Sequence, residues 1–208
     1  MKKMPQDAES FIEEQKRRLM ENPECATSSY NLGVALMEQG RYDEALEAFR
    51  DAVENSGRMF EGWVNIGYIY YLKGDLEMVV EANKRAVEVE PRYARGYANM
   101  GFAYLQMGKS DEAISALKKA IELNPKIVQA WSNLVSAYLQ KDMVKEAIET
   151  GEKLVEIAPD FPLGHNNLAV AYYSDEQYEK AIEHLDKAIE LGFKPHPAFV
   201  KELERYKK

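Results

Sequence analysis

The sequence predicts an all-α fold, an α-solenoid of five helix-turn-helix repeats, and two observations predict it. The first is an asparagine that recurs every 34 residues with no insertion, at Asn31, Asn65, Asn99, Asn133 and Asn167. The second is a tyrosine with the same spacing, at Tyr70, Tyr104, Tyr138 and Tyr172. A period of this length is typical of two-helix units that bury their apolar faces only by stacking on one another.

Other columns of the alignment keep the same register. They include Trp63, Tyr97 and Trp131, then Gly33, Gly67 and Gly101, and at the repeat ends Pro91, Pro125 and Pro159. The pattern Trp-x-x-Leu-Gly-x-x-Tyr, followed by two alanines and a proline, resembles the tetratricopeptide repeat across about residues 23–195. The resemblance implies a right-handed solenoid with repeats at 26–59, 60–93, 94–127, 128–161 and 162–195, which we expect to form one continuous domain.

The segments that flank the repeats are predicted to cap the array. Residues 7–21, within an amino-terminal segment 1–25, match a second repeat helix that has no first helix before it. At the other end Gly192 ends the last repeat helix, and a final helix from Pro197 to about Tyr206, within 196–208, covers the fifth repeat. A terminal unit needs a polar outer face, which the charged residues of the amino-terminal helix provide.

Two irregularities interrupt the repeat pattern. Gly40, Gly74 and Gly108 lie in the turn column, where left-handed backbone angles are required, but Asp142 and Glu176 replace them in the last two repeats. We therefore expect these two turns to be strained or differently shaped. In the fourth repeat Gly151 stands where a large residue belongs, and we expect Leu154 to refill the space.

Composition excludes several classes of function. Acidic residues outnumber basic ones by 35 to 27, and no basic run is long enough for a phosphate-binding stripe, so nucleic acid is not an expected partner. The single Cys25 has no partner for an internal disulfide. No apolar stretch approaches membrane-spanning length and no apolar leader follows the amino-terminal lysines, so we expect no membrane insertion and a cytoplasmic location.

The sequence contains no recognisable catalytic site. His165, His184 and His196 are scattered, and none forms a metal-ligating pair on one helix face. Gly108, Lys109 and Ser110 are similar to the end of a phosphate-binding loop, but the upstream glycine is replaced by Ala103. We predict a protein that is not an enzyme and has no cofactor or metal.

The face of the first helices that remains after the core is assigned is rich in aromatic and aliphatic residues. It is predicted to line the concave side of the solenoid. Its candidate peptide-binding residues are Tyr30, Tyr68, Tyr71, Arg95 and Phe102, together with the five asparagines Asn31, Asn65, Asn99, Asn133 and Asn167. Further lining residues are predicted at Leu105 and Ser132. An apolar surface of this kind is typical of a protein interaction site.

The asparagine column has two interpretations. A primary amide both donates and accepts, so a column of amides can hold the main chain of an extended peptide. This resembles the asparagine ladder in the repeat domain of the glycosyltransferase that adds N-acetylglucosamine to serine and threonine. Alternatively, asparagine is a frequent family choice in this column and only bonds to a neighbouring backbone.

The resemblance also provides a test for one class of partner. Other family members bind the carboxyl-terminal tail of chaperones through a clamp of lysines, asparagines and an arginine. The corresponding residues here are Tyr30, Val34, Asn65, Arg95 and Asn99, and two of the clamp's cations are missing. The expected function is therefore an adaptor that binds an extended segment of another protein, and not a chaperone tail. The alternative is a scaffold that assembles with copies of itself through the same face.

Overall fold

The computed structural model describes residues 5–207, and within that range the chain forms twelve α-helices and no strand. Residues 1–4 and 208, which fall in the two predicted capping segments, lie outside the described residues. The all-α class and the helix-turn-helix repeats are confirmed. The chain divides into two compact units, residues 1–96 and 97–208.

The first unit contains an amino-terminal helix and two repeats. Its helices are α1 (Pro5–Glu21), α2 (Ala26–Glu38), α3 (Tyr42–Asn55), α4 (Phe60–Lys73) and α5 (Leu76–Val89). The two helices of each repeat pack on each other, α2 on α3 and α4 on α5, while α1 packs on α2 and α3 packs on α4. The half-repeat helix predicted at 7–21 is α1, which buries Ile12 completely.

The second unit begins at Tyr97, in the first turn of the next helix, and contains the other three repeats. Its helices are α6 (Ala94–Gln106), α7 (Ser110–Leu123), α8 (Val128–Gln140), α9 (Val144–Ile157), α10 (Pro162–Ser174), α11 (Tyr178–Glu190) and α12 (Pro197–Glu204). Helices α7 to α11 pack in sequence, and α12 packs on α11. Described helices of both units fall short of the length and apolar character needed to cross a bilayer.

Glycine in the column of Gly33, Gly67 and Gly101 allows the two helices of a repeat to approach closely. A Cβ atom added at Gly33 would lie 2.7 Å from Cδ1 of Phe49, and one added at Gly101 would lie 2.4 Å from Cγ of Leu117. Both distances are shorter than any ordinary carbon contact. Close packing therefore outweighs the roughly 1 kcal/mol that glycine costs in a helix.

The turn within each repeat has the same backbone shape in all five. Gly40, Gly74 and Gly108 have φ between 72° and 75°, and Asp142 and Glu176 have φ of 56° and 59°. Asp142 and Glu176 therefore adopt the left-handed conformation that glycine adopts in the first three turns. A side chain is thus held in the left-handed region, where a non-glycine residue is strained.

The fourth repeat fills its glycine position differently from the prediction. A Cβ added at Gly151 would lie 2.9 Å from Cδ1 of Leu168, so the first helix of the next repeat occupies this space. The predicted substitute, Leu154, lies instead against Gly164, where an added Cβ would be 3.2 Å from its Cδ2. The reason is that the space left by the missing side chain of Gly151 faces α10 and does not extend along α9.

The carboxyl-terminal helix covers the last repeat through aromatic contacts. Leu203 is fully buried, and the ring of Phe199 meets that of Tyr173 edge-on at 5.6 Å. Tyr206 stacks on Tyr178 with ring centres 3.7 Å apart. A hydrogen bond with Tyr206, helped by burial, raises the pKa of the Tyr178 hydroxyl to about 12.

Candidate functional site

The first-helix face of the first unit begins with a tyrosine and an asparagine from successive repeats. The ring of Tyr30 packs against Phe49, with ring centres 5.6 Å apart, and this contact fixes its direction. The side-chain amide of Asn65 donates to the Tyr30 hydroxyl at 3.3 Å. Asn31, one residue after Tyr30, is partly exposed.

Three large apolar residues follow on the same face of α4. Tyr68 is 49% exposed, Tyr71 50% and Leu72 43%. The only charged residues in α4 are Glu61 and Lys73, one near each end. The face of α4 thus carries two half-exposed aromatic side chains on a helix with few charges.

Arg95 lies at the start of α6 and is exposed. Burial raises the pKa of the nearby Tyr93 hydroxyl, and the positive charge of Arg95 opposes that shift. Arg95 therefore presents a positive charge to solvent at the start of α6.

In the second unit the candidate residues differ in burial. Asn99 is exposed, and Phe102 and Asn133 are partly buried. Asn167 is only 9% exposed, and its amide donates to the Ser132 hydroxyl at 3.1 Å and the Ser136 hydroxyl at 3.3 Å. The side chain of Asn167 therefore bonds to the preceding repeat.

Two residues that were predicted to line this face are buried instead. Leu105 is 5% exposed and belongs to the apolar core of the second unit, and Ser132 is 2% exposed. The prediction was wrong for both. Leu105 lies in the same core cluster as Ala113 and Leu117 of the paired helix α7, and the amide of Asn167 lies over Ser132.

Two asparagines of the column, Asn65 and Asn167, follow one rule. Asn65 and Asn167 each reach back to the residue one repeat and one position earlier, and in both cases that residue has a hydroxyl group, Tyr30 or Ser132. For Asn133 the corresponding residue is Ala98, whose side chain cannot accept a hydrogen bond. The asparagine column is therefore not chemically uniform.

A second polar cluster lies inside the fifth repeat, and the sequence interpretation missed it. The two Nδ1 atoms of His165 and His184 are 3.1 Å apart, and Nε2 of His165 is 2.8 Å from the carbonyl oxygen of Pro159. A carbonyl only accepts, so Nε2 of His165 carries the proton of that bond, and with both rings neutral Nδ1 of His165 accepts from the Nδ1–H of His184. Two histidines that look scattered in sequence are thus joined, because antiparallel helices bring their columns together.

The histidine pair also contacts the tyrosine column. The ring of His184 stacks on that of Tyr172, with centres 5.6 Å apart and an angle of 10°. Tyr172 donates to a carboxylate oxygen of Glu152 at 2.5 Å, and Nζ of Lys180 lies 4.8 Å from the ring centre. Burial, followed by the Glu152 bond, raises the pKa of the Tyr172 hydroxyl. Burial, and then the charge of His165, lowers the pKa of His184.

Residues 5–207 contain no group of three or more histidine, cysteine, aspartate or glutamate side chains with the geometry of a metal site. The two histidines of the fifth repeat lack a third such ligand. The described residues instead form helix surfaces that recur from repeat to repeat.

Stacked two-helix units with exposed first-helix faces define a helical repeat protein, a class in which the stacked helices form extended binding surfaces. Models of the tetratricopeptide repeat match residues 8–60, 30–90, 94–127, 128–161 and 162–192. The chain belongs to the tetratricopeptide repeat family. The sequence has no significant match among curated proteins.

Solved structures of other proteins share this fold. The crystal structure of MamA is 26% identical and has a TM-score of 0.73, covering 77% of this chain and 94% of its own. YrrB, described as a TPR protein with an unusual peptide-binding site, is 21% identical with a TM-score of 0.78, covering 92% and 97%. PilF of Pseudomonas aeruginosa is 20% identical with a TM-score of 0.69, covering 83% and 79%.

Proposed function

We propose that this protein is a non-catalytic adaptor whose first-helix faces bind an extended segment of another protein. The observation that supports the proposal is the exposure of Tyr68, Tyr71 and Leu72 on α4. Leaving large apolar side chains in water is unfavourable by roughly 25 cal/mol per Å² of exposed apolar area, and a partner that covers them recovers that free energy.

The amides supply the polar part of the binding site. Within the column Asn99 is exposed, and Asn31 and Asn133 are only partly buried. A primary amide can donate to a main-chain carbonyl and accept from a main-chain N–H. We propose that these three contact the partner's backbone, while Asn65 and Asn167 contribute by holding neighbouring repeats in register.

Charge distribution indicates what kind of segment would bind. Helices α8 and α10 contain no Asp, Glu, Lys or Arg, although 30% of the whole chain is charged. A charged segment laid on these two helices would lose hydration without gaining a salt bridge. We therefore propose a segment that is uncharged where it contacts the second unit. Arg95 is proposed to meet one carboxylate of the same partner.

Selection of displayed random peptides against the purified protein tests this proposal. Selected peptides should bind the Tyr68→Ala and Asn133→Ala variants at least about tenfold more weakly, since each change removes one proposed contact worth about 1.4 kcal/mol or more. The matched control is Tyr42→Ala, because Tyr42 is also exposed but lies on the second helix α3. Equal binding by all variants would remove the first-helix face as the site.

A second candidate function uses the same exposed residues. Tyr68, Tyr71 and Leu72 on one copy would also be covered if the face bound a second copy of the chain. Light scattering over a concentration series separates the two functions. An oligomer that the Tyr71→Glu change converts to a monomer supports assembly, while a monomer at the highest concentration excludes it.

A further inference from the structure

We propose that a cleft on the second-helix side of the fourth repeat binds an aromatic side chain of another protein. The cleft has a volume of about 360 Å³, which is the lower range of small-molecule pockets and ample for one ring. Its walls are Ile121 of α7, Trp131 and Tyr138 of α8 and Thr150 of α9, with Leu134 between them. None of these residues belongs to the first-helix face, so this site is separate from the adaptor function proposed above.

In the fifth repeat the position that corresponds to this cleft holds an aromatic ring of the chain itself. Thirty-four residues after Thr150, Trp131 and Tyr138 lie His184, His165 and Tyr172. There the imidazole ring of His184 stacks on Tyr172, at a ring-centre distance of 5.6 Å, and also lies against His165, at 5.3 Å. The chain's own side chain thus places a flat ring against the tyrosine of this column.

In the fourth repeat the corresponding residue is small. Thr150 has no ring to lay on Tyr138, and both residues line the cleft. The neighbouring wall is held in place, because the indole Nε1 of Trp131 donates to the carbonyl oxygen of Pro125 at 2.8 Å. His165 makes the same bond with Pro159 one repeat later. A ring from a partner would therefore meet a preformed surface, which lowers the entropy lost on binding.

The charges around the cleft do not favour a strongly charged ligand. The rim has two lysines, Lys118 and Lys153, and two glutamates, Glu146 and Glu149, so its formal charges cancel. Nζ of Lys118 also lies 5.6 Å from the ring centre of Tyr138, which is the range of a cation–π contact. An uncharged aromatic side chain fits this rim best, since it needs neither a net positive nor a net negative surround.

NMR of the indole N–H of Trp131 tests the cleft directly. The probe is N-acetyl-tyrosinamide, with N-acetyl-leucinamide as the aliphatic control, and the Trp63→Phe change assigns the signal. We expect a saturable shift with the tyrosine probe at a dissociation constant of about 1–10 mM, given how few atoms it buries, and a much smaller shift with the leucine probe. No saturable shift, or equal shifts with both probes, would overturn the proposal.

Two variants distinguish the cleft from any other aromatic site. Thr150→His should place a ring where His184 places one in the fifth repeat, and should weaken the probe at least tenfold, whereas Thr150→Ser should not. If Thr150→His does not fold, as judged by its amide spectrum, Ile121→Trp fills the cleft from the opposite wall. It should also weaken probe binding at least tenfold. Unchanged probe binding in the folded blocking variant contradicts the proposal. Tyr68→Ala should bind the probe normally, so failure here leaves the adaptor function untouched.

Discussion

The side-chain amide of Asn167 donates a hydrogen bond to the hydroxyl of Ser132, which lies one repeat and one position earlier, at 3.1 Å. Asn65 and Tyr30 have the same relationship at 3.3 Å. One column of identical residues thus joins repeats where the preceding repeat offers a hydroxyl group. Where it offers Ala98, as before Asn133, the amide has no such acceptor.

This difference predicts unequal effects on stability. Asn167→Ala should lower the free energy of unfolding by about 1–3 kcal/mol, because it removes a buried donor and leaves the Ser132 and Ser136 oxygens without it. Asn133→Ala, at a partly exposed position, should change it by less than about 0.5 kcal/mol. Urea denaturation followed by circular dichroism measures both. Equal losses would mean that the bond of Asn167 contributes no stability.

The close approach of helices in the third repeat predicts a steric effect. Gly101→Ala should destabilise the protein by about 1–3 kcal/mol, because the new Cβ would lie 2.4 Å from Cγ of Leu117. Gly57→Ala is the control, since a Cβ there meets nothing within 4 Å. Adding Leu117→Ala to Gly101→Ala should cost less than the sum of the two single changes, as measured by a double-mutant cycle. Additive losses would show that the two residues do not conflict.

The two strained turns predict a gain of stability. Asp142→Gly and Glu176→Gly should each raise the free energy of unfolding by about 0.5–1 kcal/mol, because glycine adopts positive φ without a Cβ clash. The opposite change, Gly74→Ala at a φ of 75°, should lower it by about 1 kcal/mol. Thermal or urea unfolding tests all three. A loss on introducing glycine would indicate that the Asp142 and Glu176 side chains stabilise their turns.

The histidine pair predicts loss of stability in mild acid. Burial, and then His165, lowers the pKa of His184 in the folded protein below the ordinary value of about 6.5, although Glu183 and Glu152 oppose the shift. Well above about pH 6.5 the His184 ring is neutral in both the folded and the unfolded protein, and its full contribution to the free energy of unfolding is present. As the pH falls below that value the unfolded chain takes up the proton first, so the free energy of unfolding decreases until the folded-state pKa is reached.

The variant His184→Phe provides the comparison, because it keeps a ring beside Tyr172 but cannot be protonated. Melting temperatures of both proteins between pH 7.5 and pH 5 should fall more steeply for the wild type. Parallel curves would show that the protonation of His184 is not linked to folding. The measurement also separates this effect from the titration of the carboxylates, which both proteins share.

Most of the fold could be predicted from periodicity alone. The 34-residue columns place every repeat helix, and the turn column marks Asp142 and Glu176 as the two positions where glycine is replaced. Local signals suffice here because each repeat makes its main contacts within itself and with its neighbours. The candidate site was less predictable, because residues on one helix face differ in how far neighbouring helices bury them.

The sequence by itself determined the all-α class and the family, because the columns that indicate them depend on spacing along the chain. Only the tertiary structure decided that Asn167 is buried while Asn133 is not, that Leu168 covers Gly151, and that His165 bonds to His184. Each of these outcomes depends on side chains from different helices meeting at distances of about 3 Å. Spacing along one helix does not specify such contacts, because it is the packing between helices that determines which partner lies within reach.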